Sequence, residues 1–241
     1  MKFVCGNFKM NGTLKKLPAY IESLNELDKE TLHNVCVCLP FPFLGYAHKA
    51  HFNVGAQDCS QYAEGAYTGD VSAHMLAECA CKYVLVGHSE RRLMHYENDR
   101  TVYNKAVMAS KARLQPIVCI GENEDQISDK YDVLRRQIRA FNPKEYCDEE
   151  ISELKFAYEP VWAIGTGKVP DEQTISSTCE FISELLIKIL GKKIDVLYGG
   201  SIKPANAKNI LQINTVDGVL VGGACLNAAE FKQIINIAKE M

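Results

Sequence analysis

Residues 194–223 read IDVLYGGSIKPANAKNILQINTVDGVLVGG. Two short runs, Ile194 to Leu197, apolar but for Asp195, and Gly218 to Val221, each lead into a pair of glycines, Gly199-Gly200 and Gly222-Gly223. A run of four that is wholly or mostly apolar suits a strand buried on both faces, as strands of a parallel sheet are. Pro204, a few residues past the first glycine pair, suits the first turn of a helix, where a missing N–H costs nothing. The segment therefore reads as strand, loop, helix, strand.

The same rhythm runs outward through the chain. Further strands are predicted at Phe3-Val4-Cys5, Val35 to Leu39, Asn53-Val54-Gly55, Tyr83 to Val86, Ile117 to Ile120 and Lys155 to Tyr158. Helices are predicted between them: Leu14 to Leu27 carries Leu17, Ile21, Leu24 and Leu27 at helical spacing. Ile175 to Leu190 carries Phe181, Ile182, Leu185, Leu186 and Ile189, and a last helix spans Ala228 to Lys239. Strand and helix alternate without a composition break, linker or low-complexity stretch. The pattern predicts an α/β protein with one closed (β/α)8 barrel, residues 1–241 forming a single domain; an open doubly wound sheet is the alternative the pattern leaves.

Composition agrees with this. The chain has 241 residues, 47% hydrophobic and 24% charged, with a formal net charge of -3. One such barrel uses about 250 residues, enough to bury a core without disulfides or metal. Lysine and arginine fall in scattered pairs such as Lys15-Lys16, Arg135-Arg136 and Lys192-Lys193. No basic arm for nucleic acid or an anionic membrane results, whereas a small anionic substrate needs only one local cluster of donors. The chain opens on no signal-like segment, and no apolar run reaches the roughly 18 residues of a membrane helix. A cytoplasmic, reducing setting is expected, with most of the ten cysteines serving as small buried hydrophobes. Cys36 and Cys38, two apart in a strand, share a face. There is no C-x-x-C, and His48 and His51 lack a third ligand nearby in sequence, so no metal site is expected.

In a parallel barrel, function sits where strands end. Strand one ends in Gly6-Asn7-Phe8-Lys9, strand four in Gly87-His88-Ser89-Glu90 and strand six in Glu159-Pro160. A cation, an imidazole and a carboxylate thus face the rim that carries both glycine pairs. Gly200, Ser201, Gly222 and Gly223 suit a phosphate, since glycine lets backbone N–H groups approach an anion. Lys9, His88 and Glu159 offer a cation, a neutral donor and a base, the set that proton abstraction beside a carbonyl requires. The segment Pro160-Val161-Trp162-Ala163-Ile164-Gly165-Thr166-Gly167 puts tryptophan and isoleucine in a loop with two glycines. It reads as a lid that excludes water, or else as a loop packed permanently on its neighbours.

These segments together resemble the triosephosphate isomerase family: GNFKMNG at 6–12, VGHSERR at 86–92, AYEPVWAIGTG at 157–167, YGGS at 198–201 and VGGA at 221–224. The matches are collinear and span nearly the whole chain. The resemblance implies interconversion of dihydroxyacetone phosphate and glyceraldehyde 3-phosphate, a step of glycolysis and gluconeogenesis, without metal or organic cofactor. It assigns Glu159 as the base, neutral His88 as the proton relay at the oxygens and Lys9 as the cation stabilising the enediolate. Asn7 positions the substrate, backbone N–H groups at Gly165, Ser201, Gly222 and Gly223 hold the phosphate, and Glu90 supports the site. It also implies a homodimer, in which the loop Gly65 to Ser72 enters the partner with Thr68 near the other active site. A sugar-phosphate epimerase or aldolase and a non-catalytic scaffold are the competing readings. The first two need metal ligands or a barrel lysine that the sequence does not assemble, and a scaffold has no need of Lys9, His88 and Glu159.

Three departures from the family pattern carry expectations. Phe8 stands where tryptophan is usual and should only pack. Tyr96 stands in place of a glycine and should strain its turn or crowd a dimer contact. Lys168-Val169-Pro170-Asp171 is one residue shorter than in many relatives, and Pro170 offers no N–H, which should alter any latch between the closed lid and a tyrosine such as Tyr198.

Overall fold

Side chains alternate across a strand, so a strand buried on both faces needs two apolar environments. The computed structural model, which describes residues 1–142, 151, 153–164 and 168–241, supplies both. Strands β1 (Phe3–Asn7), β2 (Val35–Leu39), β3 (Asn53–Ala56), β4 (Tyr83–Val86), β5 (Gln115–Ile120), β6 (Lys155–Tyr158), β7 (Val196–Tyr198) and β8 (Gly218–Val221) pair in parallel in chain order. β8 closes onto β1 with Cys5 opposite Leu220. The sheet is the closed barrel, and the open doubly wound alternative is excluded.

Inward side chains, among them Phe3, Cys5, Leu85, Ile117, Leu197 and Leu220, form a cluster of their own. Outward ones such as Val4, Val37, Val84 and Val219 join the larger core under the helices. Those helices are α1 (Leu17–Asn25), α2 (Lys29–His33), α3 (Phe41–Leu44), α4 (Ala73–Glu78), α5 (Ser89–Met94), α6 (Asp99–Lys111), α7 (Lys130–Arg139), α8 (Glu172–Leu190), α9 (Pro204–Gln212) and α10 (Ala228–Lys239).

Local chemistry explains where the boundaries differ from the pattern. The first helix is shorter than Leu14 to Leu27: Pro18 fits only an opening turn, and Asp28 accepts from Thr31 N at 2.8 Å to cap a separate short helix. α8 starts three residues before Ile175 because the Asp171 carboxylate accepts from Thr174 N at 2.7 Å. It stops at Gly191, whose φ of +70° forms a left-handed cap. β1 runs on to Asn7, and β7 is displaced from Ile194–Leu197 to Val196–Tyr198. Phe8 packs as expected, buried edge-on against Tyr20 at 4.9 Å.

Tyr96 has φ +56° and is 88% exposed. The strain expected of it is present: a left-handed L-residue costs about 1–2 kcal/mol, and an exposed ring regains little by packing. Glycine there costs roughly 0.5–1 kcal/mol of chain entropy. Tyr96→Gly should therefore stabilise the fold by about 0.5–1 kcal/mol, read as a higher denaturant midpoint at fixed protein concentration. An unchanged or lower midpoint would show that the ring contributes contacts worth the strain.

Candidate active site

The site forms where β1, β4, β6, β7 and β8 end. Asn7, Lys9, His88, Glu159, Ser201, Gly222 and Gly223, from segments far apart in sequence, line one cavity of about 440 Å³ with Ile164 at its edge. Asn7 is the last residue of β1 and is buried. Its Oδ1 accepts from Lys9 N at 2.9 Å, bracing Lys9 in a left-handed conformation of φ +50°. Strain held by neighbours in this way is a mark of functional positions. Lys9 Nζ pairs with Glu90 Oε1 at 2.7 Å. A Cβ on Gly222 would lie 3.5 Å from Lys9 Cε, so the amine reaches across the rim towards the second glycine pair.

His88 caps α5. Its Nδ1 accepts from Glu90 N at 3.2 Å, and its Nε2 lies 3.0 Å from Glu159 Oε1. With Nδ1 used as an acceptor, the ring proton belongs on Nε2; protonating Nδ1 would set two N–H groups against each other. Burial disfavours the imidazolium, while the Glu159 charge favours it, and the balance raises the ring's pKa. That upward pull lasts only while the carboxylate stays alongside, and the backbone donor at Nδ1 favours neutral imidazole.

Glu159 is buried, yet its carboxyl lies below the usual glutamate range. Burial pushes it up; the contacts to His88, the N–H of Ser89 at 3.0 Å and the Lys9 charge outweigh that. The opening turn of α5 thus serves the base as an anion site. A group with a depressed folded pKa contributes stability above its unfolded pKa and loses it as pH falls through the folded value. Between about pH 5 and pH 3, the unfolding free energy of the native chain should fall more steeply than that of Glu159→Gln. Parallel slopes in denaturant titrations at each pH would contradict the depressed carboxyl.

The glycines make room. A Cβ on Gly121 would lie 1.7 Å from Glu159 O, one on Gly199 3.0 Å from Glu159 Cγ, and one on Gly200 2.1 Å from Tyr198 Oη. Gly199-Gly200 is therefore required first by Glu159 and Tyr198, while Gly223 meets nothing within 4 Å and stands open to a ligand.

Pro160 to Ile164 begins the loop read as a lid. Val161–Ala163 is one short turn with Ala163 buried, and Trp162 Nε1 donates to Glu122 Oε1 at 3.0 Å. Tyr158 Oη donates to the same oxygen at 3.0 Å. Burial raises the Glu122 carboxyl, and these donors oppose it. Gly165, Thr166 and Gly167 lie outside the described residues. Tyr198 Oη is buried without a partner among the described residues, and Pro170 is buried. Thr68 sits away from the cavity on an exposed loop.

Sequence reasoning missed Gly121 and Glu122. They directly follow the apolar run of β5, so the strand-end rule applied there finds both. It also passed over Gln57, whose Nε2 donates to Lys9 O at 2.9 Å and holds the loop after β1.

The family model described as triosephosphate isomerase matches residues 2–238. The chain is 42% identical over 246 residues to the triosephosphate isomerase of Azoarcus sp. (strain BH72), covering 98% of this chain and 99% of that one. It is 39% identical over 251 residues to that of Francisella tularensis subsp. holarctica (strain FTNF002-00 / FTA), covering 100% and 98%. The crystal structure of triosephosphate isomerase from Bartonella henselae superposes with a TM-score of 0.85 at 32% identity, covering 99% of both chains.

The chain belongs to the triosephosphate isomerase family. Its fold is the barrel that carries the family's abbreviated name, and its activity is that of an aldose–ketose isomerase. It interconverts dihydroxyacetone phosphate and D-glyceraldehyde 3-phosphate. The epimerase, aldolase and scaffold readings fall with this assignment.

Proposed function

We propose that Lys9, His88 and Glu159 carry the triosephosphate isomerase reaction in this chain. The observation that supports this reading best is their convergence in one cavity with Gly222 and Gly223. Glu159 takes the proton from the carbon beside the ketone of dihydroxyacetone phosphate, becoming a neutral carboxyl. His88 Nε2–H donates to the carbonyl oxygen as charge builds there and recovers a proton from the neighbouring hydroxyl. Glu159 then returns its proton to the other carbon, leaving the aldose. Lys9 stabilises the negative enediolate, and Asn7 orients both Lys9 and the substrate. Backbone N–H groups at Ser201, Gly222 and Gly223, with Gly165 from the lid, hold the phosphate. Pro160 to Gly167 closes over the intermediate and keeps water from it, and the Trp162–Glu122 bond holds its first turn. The chemistry asks for no cofactor.

The working unit is a homodimer of single-domain chains, with Thr68 reaching the partner's site. Tyr67 of that loop stacks on Tyr62 at 3.9 Å, and Met75, Leu93 and Met94 are exposed apolar groups further along the chain, a pattern that suits a covered face. The cytoplasm fits nine described cysteines that are all free thiols. Among the described residues no helix is long and apolar enough to cross a membrane. Conversion of glyceraldehyde 3-phosphate in a coupled assay, with sedimentation at micromolar concentration, tests the reading. Conversion lost on Lys9→Met and on His88→Ala, in a dimer, supports it. Full activity in either variant would overturn that residue's role, and an active monomer would overturn the dimer.

A further inference from the structure

Beneath the substrate cavity, inside the barrel, three cysteines from adjoining strands converge. Cys5 on β1 and Cys36 and Cys38 on β2 are fully buried. Cys5 Sγ lies 3.6 Å from Cys38 Sγ, and Cys36 Sγ lies 4.0 Å from Cys38 Sγ. All three sulfurs fall within 4.8 Å of one another. On the neighbouring strand, Gly55 clears the space beside them: a Cβ there would stand 2.6 Å from Cys38 Sγ and 2.9 Å from Cys36 Sγ. Three thiols drawn together, beside a residue without a side chain, make a cluster of soft donors.

The spacing is informative. A metal–sulfur bond of about 2.3 Å places three sulfurs around a planar centre about 4.0 Å apart, close to the separations found here. Three thiols favour a soft ion. Among the described residues no histidine or carboxylate joins them as a fourth ligand, and the rest of the interior cluster is hydrocarbon, aromatic or a further cysteine. Zinc prefers four ligands in structural sites, so the set suits a three-coordinate ion better.

We propose that Cys5, Cys36 and Cys38 form a buried site for one monovalent soft ion, Cu(I) being the representative, separate from the residues that isomerise the substrate. Binding displaces one thiol proton to solvent and leaves a neutral centre of one thiolate, two thiols and the ion, which a low-dielectric interior tolerates. Cys5 precedes Asn7 by two residues on β1, and its β8 neighbour Leu220 lines the substrate cavity, so the ion sits one layer under the catalytic rim.

The test uses the full chain with Cys79 and Cys147 replaced by serine, refolded without oxygen in Cu(I) buffered by glutathione, then desalted. The expected result is one Cu(I) per chain, with X-ray absorption giving three sulfur ligands at about 2.3 Å. Cys36→Ala and Cys38→Ala, each checked for retained isomerase activity as proof of folding, should lower retention at least tenfold. No retained copper in the active parent chain overturns the site. So does a shell with fewer than three sulfurs, which is read on the parent and does not depend on any variant folding.

Discussion

Replacing Glu159 with glutamine lowers kcat by about 10²–10⁴ with little change in KM, the range that a positioned general base contributes. The amide keeps the volume and the hydrogen bond from Ser89 N, so the cavity and the phosphate loops stay in place. What disappears is the proton acceptor. Glu159 is ionised at neutral pH despite full burial because His88, Ser89 N and Lys9 favour its charge. No described carboxylate stands in for it: Glu90 is held by Lys9 at 2.7 Å, and Glu122 is engaged by Tyr158 and Trp162. Steady-state kinetics in both directions check this. A loss below tenfold would mean that another group removes the proton, whereas a rise in KM at constant kcat would assign Glu159 to binding.

The second large effect is on stability. Lys105 on α6 is buried, and its Nζ donates to Asp58 at 2.7 and 2.8 Å and to Glu97 at 2.6 Å. Arg91 Nε reaches the same two carboxylates, Glu97 at 2.5 Å and Asp58 at 2.9 Å. Two cations balance two buried anions and tie the segment after β3 to α5, the helix that His88 caps. Lys105→Met leaves the anions with Arg91 alone. Removing one partner of such a group costs about 3–5 kcal/mol, because the charge left behind stays desolvated. Burial already raises the Asp58 carboxyl against the pull of Lys105. In the variant it should take up a proton, so the deficit measured at about pH 7 should shrink towards pH 5. Denaturant unfolding at the two pH values checks both points; a deficit below 1 kcal/mol, or one independent of pH, would count against the network.

The legible parts of this protein were those written in consecutive residues. Largely apolar runs gave the strands, and the few residues after a run gave Lys9, His88 and Glu159, because parallel strand ends bring those segments to one rim. The helix starts were less legible, since Asp171 and Asp28 set them through single side-chain bonds that apolar periodicity does not register. Period two put Cys36 and Cys38 on one face, but Cys5 comes from the neighbouring strand, 33 residues from Cys38, and only the β1–β2 pairing adds it. The Asp58–Lys105 pair spans 47 residues and left no local trace. Glu122 was a different case, readable by the same rule that found Glu159. The glycines were read as phosphate contacts, yet Gly199 and Gly200 owe their identity first to the bulk of Glu159 and Tyr198.

The claim that Glu159 isomerises a triose phosphate by moving a proton through an enediolate is tested most directly in heavy water. Dihydroxyacetone phosphate is incubated with the native chain in D2O, with the aldose product trapped, and its carbons are read by NMR. Rapid conversion with deuterium at the carbon next to the new aldehyde, absent with Glu159→Gln, is the result predicted. Deuterium enters that carbon when the proton held by Glu159 exchanges with solvent before its return; conversion by Glu159→Gln as fast as by the native chain, or no conversion by the folded native chain, would contradict proton transfer by this site.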